Sequence, residues 1–284
     1  MLKKILMGLA AMLIALLLAV AINTLRQGSR QIDVPPVQPL AFDENAAAQR
    51  LAAAVRLRTI SLDGQSTASA AEFRKLHALL KKSFPRAHAM LKRETVNELS
   101  LLYAWPGSDP AAKPIMLMAH QDVVPIAPGT ERDWQVDPFA GEIRDGFVWG
   151  RGAWDNKANL FAIFEAIETL AASGFKPRQT LYIAAGHDEE IGGEQGAMAI
   201  AALLQSRGVR LDFVVDEGLL ITEGILKGLD RPAALIGIAE KGYLTLALAA
   251  KARPGHSSMP PPETAIGMLS AALARLEDRQ MPAA

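Results

Sequence analysis

The chain has 284 residues and equal numbers of basic and acidic side chains, 30 of each. Because the net charge is zero, no general field attracts nucleic acid, and we expect no nucleic-acid partner. There is no cysteine, which excludes disulfides and thiolate metal sites and leaves His, Asp and Glu as the candidate metal ligands. The length suffices for one large or two medium domains with a buried core.

The first predicted element is an apolar helix at the N-terminus. Lys3 and Lys4 precede an almost unbroken apolar run from Ile5 to Ile22. A helix of that length spans roughly 27 Å, close to the roughly 30 Å hydrocarbon core of a bilayer. It is either a membrane anchor or a signal peptide with the small residues Ala19 and Ala21 near its cleavage site. Both interpretations predict export of the remainder, as a membrane-anchored or a periplasmic or extracellular protein.

A linker and an α/β domain are predicted next. Residues 1–22 form the apolar segment, and the polar, proline-containing residues 23–41 are typical of a linker. Helical spacing of apolar side chains then occurs at 44–57, 70–82, 156–173 and 193–207. Short apolar runs that predict buried strands lie between these segments, at Leu101–Ala104, Ile115–Ala119, Thr180–Ala185 and Phe213–Val215. This alternation favours a sheet covered by helices on both faces, within a domain at 42–235.

The pattern changes after this domain. Residues Ala239–Lys251 alternate as a strand would, and Thr264–Leu276 show helical spacing. We therefore expect a second domain to begin within 236–284.

Acids and histidines follow the predicted strands. His120 and Asp122 come directly after Ile115–Ala119, and residues two apart on a strand share one side. Asp122 can therefore orient the imidazole toward a metal, although a surface pair would explain the same pattern. Asp155 lies between a glycine-containing loop and a predicted helix, where an aspartate either caps the helix or bridges two cations.

Further acids follow the two later strands. The segment GHDEEIGGEQG places four ionisable side chains together: His187, Asp188, Glu189 and Glu190. A bound cation would relieve the repulsion among the three carboxylates. The alternative is that these acids occupy the first turn of a helix, whose dipole favours negative charge. Asp216 ends Phe213–Val215 as either a turn acid or a ligand. A set of four residues therefore fits zinc, manganese or cobalt at the carboxyl edge of the sheet: His120, Asp155, Glu190 and Asp216.

Five segments, HQDVVP, GRGAWDNK, GHDEEIGG, VVDEG and KARPGHSSMP, together carry a family resemblance. In order and approximate spacing, over about residues 45–275, they resemble the co-catalytic dizinc hydrolases of the aminoacylase, carboxypeptidase G and carboxypeptidase S family. The carboxypeptidase S type and its N-acyl-amino-acid hydrolase relatives are the most similar. The resemblance implies a zinc-exopeptidase-like catalytic domain, with a mixed twisted sheet flanked by helices, whose N-terminal part is 42–235. It also implies that 236–284 begin an inserted ferredoxin-like α+β lid and dimerisation domain.

The resemblance also implies the metal ligands. Two zinc ions are expected, with manganese or cobalt as alternatives. His120 and Asp216 would bind one zinc and Glu190 the other, with Asp155 as the bridge. A cis peptide bond is expected between Asp155 and Asn156.

The reaction implied is hydrolysis of an amide bond in a small peptide or an N-acyl amino acid. Glu189 would be the general base and Asp122 the partner that orients His120. His256, in the lid segment, would help to hold the substrate carbonyl, often across a homodimer.

The sequence departs from the family at the second zinc, where a complete member supplies another histidine. None of the five histidines fits that position: His77, His88, His120, His187 and His256. We therefore expect a fragment or a truncated product of the parent enzyme. The alternative is a non-catalytic, membrane-tethered binding module on the same fold. A calcium-stabilised domain fits poorly because no loop has the spacing of oxygen ligands that calcium needs.

Overall fold

A computed structural model of the chain describes residues 2–28, 34–35, 41–62, 64, 68–239, 242–256, 258–259 and 261–280. The chain divides into two compact units, Met1–Glu217 and Gly218–Ala284. The helices of the first unit are α1 (Leu2–Arg26), α2 (Glu44–Val55), α3 (Ala70–Ser83), α4 (Pro85–Met90), α5 (Lys157–Ala172) and α6 (Ala197–Ser206). Its strands are β1 (Lys92–Val96), β2 (Ser100–Trp105), β3 (Ile115–His120), β4 (Glu142–Arg144), β5 (Phe147–Trp149), β6 (Leu181–Gly186) and β7 (Val214–Val215).

The predicted N-terminal helix is confirmed as α1. Its segment Lys3–Arg26 is long and apolar enough to cross a membrane, and none of its most apolar window is buried against the rest of the chain. Signal sequences share these properties. Most of the predicted linker lies outside the described residues.

Five strands form one mixed sheet in the order β1-β2-β6-β3-β7. Strand β2 pairs antiparallel with β1 and β6, whereas β3 pairs parallel with β6 and β7. Successive side chains of a strand point to opposite faces of the sheet. Leu101 and Tyr103 accordingly join a large core with α3, α4 and α5, and Leu102 joins a smaller core with α6. The predicted α/β sheet with helices on both faces is confirmed.

Most predicted elements lie close to their expected positions, and one helix begins later than predicted. The helix predicted at 193–207 begins at Ala197. Gly192 and Gly193 have φ angles of 102° and 70°, a conformation that glycine adopts easily, and they form a turn before the helix.

The second unit contains the two-residue strands β8 (Ile221–Thr222) and β9 (Ala233–Ala234), which pair antiparallel, and helix α7 (Ala265–Asp278). This helix confirms the one predicted at Thr264–Leu276, and the side chain of Thr264 caps it by accepting a hydrogen bond from Gly267 N. The β8–β9 pair lies within the second unit, which begins at Gly218.

The strand predicted at Ala239–Lys251 is wrong for the described residues of that segment, 239 and 242–251, none of which is in a strand. Alternation of apolar side chains describes only the side chains of a strand. A strand also needs a hydrogen-bonded neighbour, and Tyr243 here is 94% exposed.

Candidate metal centre

The candidate site lies where three parallel strands of the sheet end. Strands β3, β6 and β7 run in the same direction, so their carboxyl ends meet at one edge. His120 is the last residue of β3, Glu189 and Glu190 lie in a short 3-10 turn after β6, and Asp216 follows β7. The edge predicted from the sequence is therefore the edge at which these residues assemble.

His120 is buried, with one imidazole nitrogen directed at Asp122 and the other at the cluster. Its Nδ1 lies 3.0 Å from the Asp122 carbonyl oxygen and 3.2 Å from a carboxylate oxygen of the same residue. Its Nε2 lies 2.8 Å from Oδ1 of Asp155. The Asp122 carboxylate also accepts the backbone N–H groups of Glu189 and Glu190, each at 3.1 Å. Asp122 therefore orients both the histidine and the glutamate turn.

Asp155 lies in an exposed loop. Gly150, in the same loop, allows the backbone to pack closely against Val55 and Pro138. A side chain at Gly150 would place its Cβ 2.5 Å from Val55 Cγ1 and 2.7 Å from the Pro138 carbonyl oxygen, and the φ angle of this residue is 144°. The peptide bond between Asp155 and Asn156 is cis, as predicted. Helix α5 begins directly after this bond.

The charged groups fall into two overlapping sets that each contain His120. One set adds Asp155 and Glu190, and the other adds Glu189 and Glu217. Within each set the candidate ligand atoms all lie within 4.8 Å of one another. Three of the four predicted ligands are thus brought together.

Glu217 is the cluster residue that the sequence analysis missed. One carboxylate oxygen lies 3.5 Å from Nε2 of His120, and the other accepts a hydrogen bond from the side-chain amide of Asn156. The predicted ligand Asp216 lines a cleft of about 210 Å³ with His120 and Glu189, but its carboxylate accepts the backbone N–H of Glu217. The segment VVDEG contains both acids, and its pattern does not show which one faces the cluster.

The electrostatics show that negative charge is crowded at this edge. Burial raises the pKa values of Glu189, Glu190 and Glu217, and the charges of neighbouring carboxylates add to the increase while the charge of His120 opposes it. Burial lowers the pKa of His120, but the hydrogen bond and charge of Asp122, with further help from Glu217, outweigh it and raise the value to about 10. A proton on His120 therefore supplies the positive charge that these carboxylates attract.

The donor set fits a divalent cation. Imidazole and carboxylate groups are ligands that zinc, manganese and cobalt accept. Nε2 of His120 faces the carboxylates while Nδ1 is held by Asp122, which is the arrangement of a metal-binding histidine and its supporting partner. A cation would replace the proton of His120 as the counter-charge.

Two of the four adjacent ionisable residues after β6 lie outside both sets. His187 is buried, with Nδ1 2.6 Å from the Ser100 hydroxyl, and Asp188 accepts the backbone N–H of Gln195 at 2.7 Å. His256 belongs to the second unit, where its Nδ1 lies 2.8 Å from Oγ of Ser258 and its side chain is exposed.

The fold is an α/β domain with a histidine and several carboxylates at the carboxyl edge of its sheet, and comparison with known proteins identifies the family. Residues 116–280 match the model of peptidase family M20/M25/M40, so the chain belongs to this family. The resemblance found in the sequence is thereby confirmed.

Curated relatives share substantial identity with the chain. It is 46% identical over 251 residues to mouse N-fatty-acyl-amino acid synthase/hydrolase PM20D1, covering 86% of this chain and 49% of the relative. It is 42% identical over 243 residues to carboxypeptidase S of Saccharomyces cerevisiae, covering 82% of this chain and 42% of the relative. The chain thus spans about half the length of the curated relatives it matches. Human carnosine dipeptidase 1 is a structural neighbour, with a TM-score of 0.49 and 21% identity over 63% of this chain and 40% of that one.

Proposed function

We propose that the whole protein is a metal-dependent hydrolase that cleaves the amide bond of an N-acyl amino acid or a small peptide. The observation that carries this proposal is the convergence of His120 with the carboxylates of Asp155, Glu189, Glu190 and Glu217 at one edge of the sheet. Family membership supports it, since the names of the relatives describe N-fatty-acyl-amino acid hydrolysis and carboxypeptidase activity.

The proposed ligands are His120, Asp155, Glu190 and Asp216, with two zinc ions as the proposed metals. Glu217 is a rival to Asp216, because its carboxylate is the one that reaches His120. A bound divalent cation would supply Lewis-acid chemistry, lowering the pKa of water and polarising a carbonyl group. Loss of zinc from Glu217→Ala, and its retention by Asp216→Ala, would decide between the two acids.

Glu189 is the proposed general base. Its side chain is half exposed and its Oε2 lies 3.8 Å from Nε2 of His120, beside the proposed ligands and open to a substrate. Its carboxylate would take a proton from the water that attacks the amide carbon and pass it to the leaving nitrogen. The O–H bond of the water would break as the new C–O bond forms, and the C–N bond would then break as the nitrogen takes that proton, which leaves a carboxylic acid and an amine.

The segments outside the cluster receive their proposed roles from the sequence. We assign 42–235 to the catalytic domain and 236–284 to the start of a lid domain that dimerises and contributes His256 to the substrate carbonyl. The helix Lys3–Arg26 and the two lysines before its apolar run support export, with the metal centre outside the cytoplasm. A protease-accessibility assay on intact and permeabilised cells tests that topology, and protection of the folded units in intact spheroplasts would contradict it.

The test of the proposed function uses the whole protein in detergent. We expect wild type to bind zinc and to hydrolyse a panel of N-acyl amino acids and dipeptides. Glu189→Gln keeps the shape of the side chain and should retain zinc while losing at least about 100-fold in turnover. Unchanged turnover in this variant would reject the base, and zinc binding without any hydrolysis by wild type would favour the binding-module alternative.

A further inference from the structure

His77 is a buried histidine that the proposed reaction does not use. It lies on α3 and is only 7% exposed, and its Nε2 is 2.8 Å from Oε1 of Gln121. Gln121 stands in the chain between His120 and Asp122, the ligand and the residue that orients it. The hydrogen bond therefore joins a helix far away in the sequence to the segment that builds the metal centre.

Gln121 is fully buried, and all of its polar groups are engaged. Its side-chain amide donates to the carbonyl groups of Leu99, at 2.9 Å, and Ala185, at 2.8 Å. Its backbone N–H donates to the Gly186 carbonyl at 2.8 Å, and its own carbonyl accepts the Thr59 hydroxyl at 2.7 Å. His77 supplies the remaining partner, without which the side-chain oxygen would be buried and unpaired.

These contacts determine which ring nitrogen of His77 must carry a hydrogen. The amide nitrogen of Gln121 lies between two carbonyl oxygens, so the amide oxygen must face His77, and Nε2 of His77 must carry the hydrogen. The other ring nitrogen lies 3.5 Å from the guanidinium of Arg93, which is a donor. Burial lowers the pKa of His77 and favours this neutral ring.

The orientation of Gln121 governs its two neighbours. Adjacent residues of an extended chain point to opposite sides, so the Gln121 side chain enters the core while His120 and Asp122 face the cluster. Asp122 in turn holds the backbone N–H groups of Glu189 and Glu190. A displacement of Gln121 would therefore shift the histidine ligand and the turn that carries the base.

We propose that His77 is a positioning residue of the metal centre, which acts through its hydrogen bond to Gln121 to hold the segment from His120 to Asp122 in its metal-binding orientation. This inference rests on the proposed metal centre. The effect should be on metal affinity and on the geometry of the bound metal, in addition to any effect on stability.

His88 provides a matched control from the same part of the chain. Its Nδ1 lies 2.9 Å from the Phe84 carbonyl and its Nε2 lies 3.1 Å from the Tyr103 hydroxyl, so it also makes two hydrogen bonds within the fold. Neither contact leads to the carboxyl edge of β3. A purely structural role for His77 would make the two histidines equivalent in their effect on metal binding.

The experiment is a titration of the full-length apoprotein with Co²⁺, followed by the visible absorption of the bound ion. The variants are His77→Leu, Gln121→Met, their double variant and His88→Leu. We expect His77→Leu to weaken Co²⁺ binding roughly tenfold and to alter the spectrum, since loss of groups that orient a ligand typically costs 10 to 100-fold in affinity. His88→Leu should match wild type in both readouts, and the double variant should bind no more weakly than Gln121→Met.

Equal affinities for His77→Leu, His88→Leu and wild type would overturn the inference, as would additive losses in the double variant. If His77→Leu does not fold, His77→Asn retains a polar side chain too short to reach Gln121 and should show the same loss. His77→Gln retains a donor of similar reach and should recover affinity. Failure of wild type to bind Co²⁺ would instead reject the metal centre itself, so the two failures are distinguishable.

Discussion

The two halves of the candidate metal centre differ in how the protein holds them. His120 and Asp122 are 3% and 0% exposed, and each is fixed by hydrogen bonds within the fold. The side chains of Asp155, Glu189 and Glu217 are 59%, 51% and 32% exposed and meet mainly at the cluster itself. The buried half is thus organised by folding, whereas the exposed half brings like charges together that a cation would stabilise. Substitutions in the buried half should therefore lower the stability of the apoprotein, whereas substitutions in the exposed half should leave it unchanged or raise it.

The largest effect on stability is expected from Asp122→Ala in the buried half. The change leaves the backbone N–H groups of Glu189 and Glu190 and the Nδ1 of His120 without their carboxylate partner. We expect the free energy of unfolding of the apoprotein to fall by about 3 kcal/mol. Urea denaturation measures this, and a loss below 1 kcal/mol would show that Asp122 does not organise the site.

Asp155→Ala tests the exposed half. We expect zinc affinity to fall about 100-fold, equivalent to about 2.7 kcal/mol of binding energy. The stability of the apoprotein should stay the same or rise, because one of several crowded negative charges is removed. Zinc titration and denaturation of the same samples separate the two quantities, and a large loss of apoprotein stability would contradict the distinction between the halves.

A buried lysine, Lys157, follows the exposed Asp155 by two residues. It extends the comparison of buried and exposed groups to the chain beside the metal centre. Lys157 is fully buried and its Nζ donates to the carbonyl groups of Ala54, at 3.0 Å, and Leu57, at 2.6 Å. Lys157→Met should leave both oxygens without this partner and lower the free energy of unfolding by about 2 kcal/mol.

Lys75→Met is the matched control for that substitution. Lys75 is exposed and forms a surface ion pair with Glu72 at 2.6 Å, so the expected change is within about 0.5 kcal/mol. Equal losses in the two variants would show that Lys157 does not anchor the chain beside Asp155.

The smallest expected effect is a pH dependence caused by His77. Burial lowers its pKa below the ordinary value of about 6.5, with Arg93 and Arg74 adding to the decrease and the Gln121 hydrogen bond opposing it. The unfolded chain therefore binds more protons below pH 6.5, and stability is lost as the pH falls through that value. Between pH 7.5 and 5.5, wild type should lose more stability than His77→Gln, and parallel pH profiles would contradict this.

The sequence predicted the interior of the sheet better than its margins. Strands β2, β3 and β6 lie inside the sheet and are largely buried. A buried strand needs apolar side chains, so each is visible in the sequence as a short apolar run. Strand β1 was not predicted, since its residues KRETV are polar and mostly exposed at the edge of the sheet. The strand predicted at Ala239–Lys251 failed for the opposite reason, because its pattern is present but the described residues supply no paired strand.

The candidate site shows the same limit. His120 and Glu190 could be placed because each follows a recognisable strand, and the family resemblance supplied Asp155. Glu217 was missed because β7 has only two residues and the following turn, not the strand, determines which acid reaches His120. The bond between His77 and Gln121 joins residues 44 positions apart and has no local signature.

The central claim, that this cluster binds divalent cations, is tested most directly by the zinc content of the full-length chain after equilibrium dialysis. Wild type should retain at least one zinc ion per chain, and the double variant Asp155→Ala, Glu190→Ala should retain none while remaining folded. A wild-type chain without bound zinc, or a double variant with the same zinc content as wild type, would contradict the account.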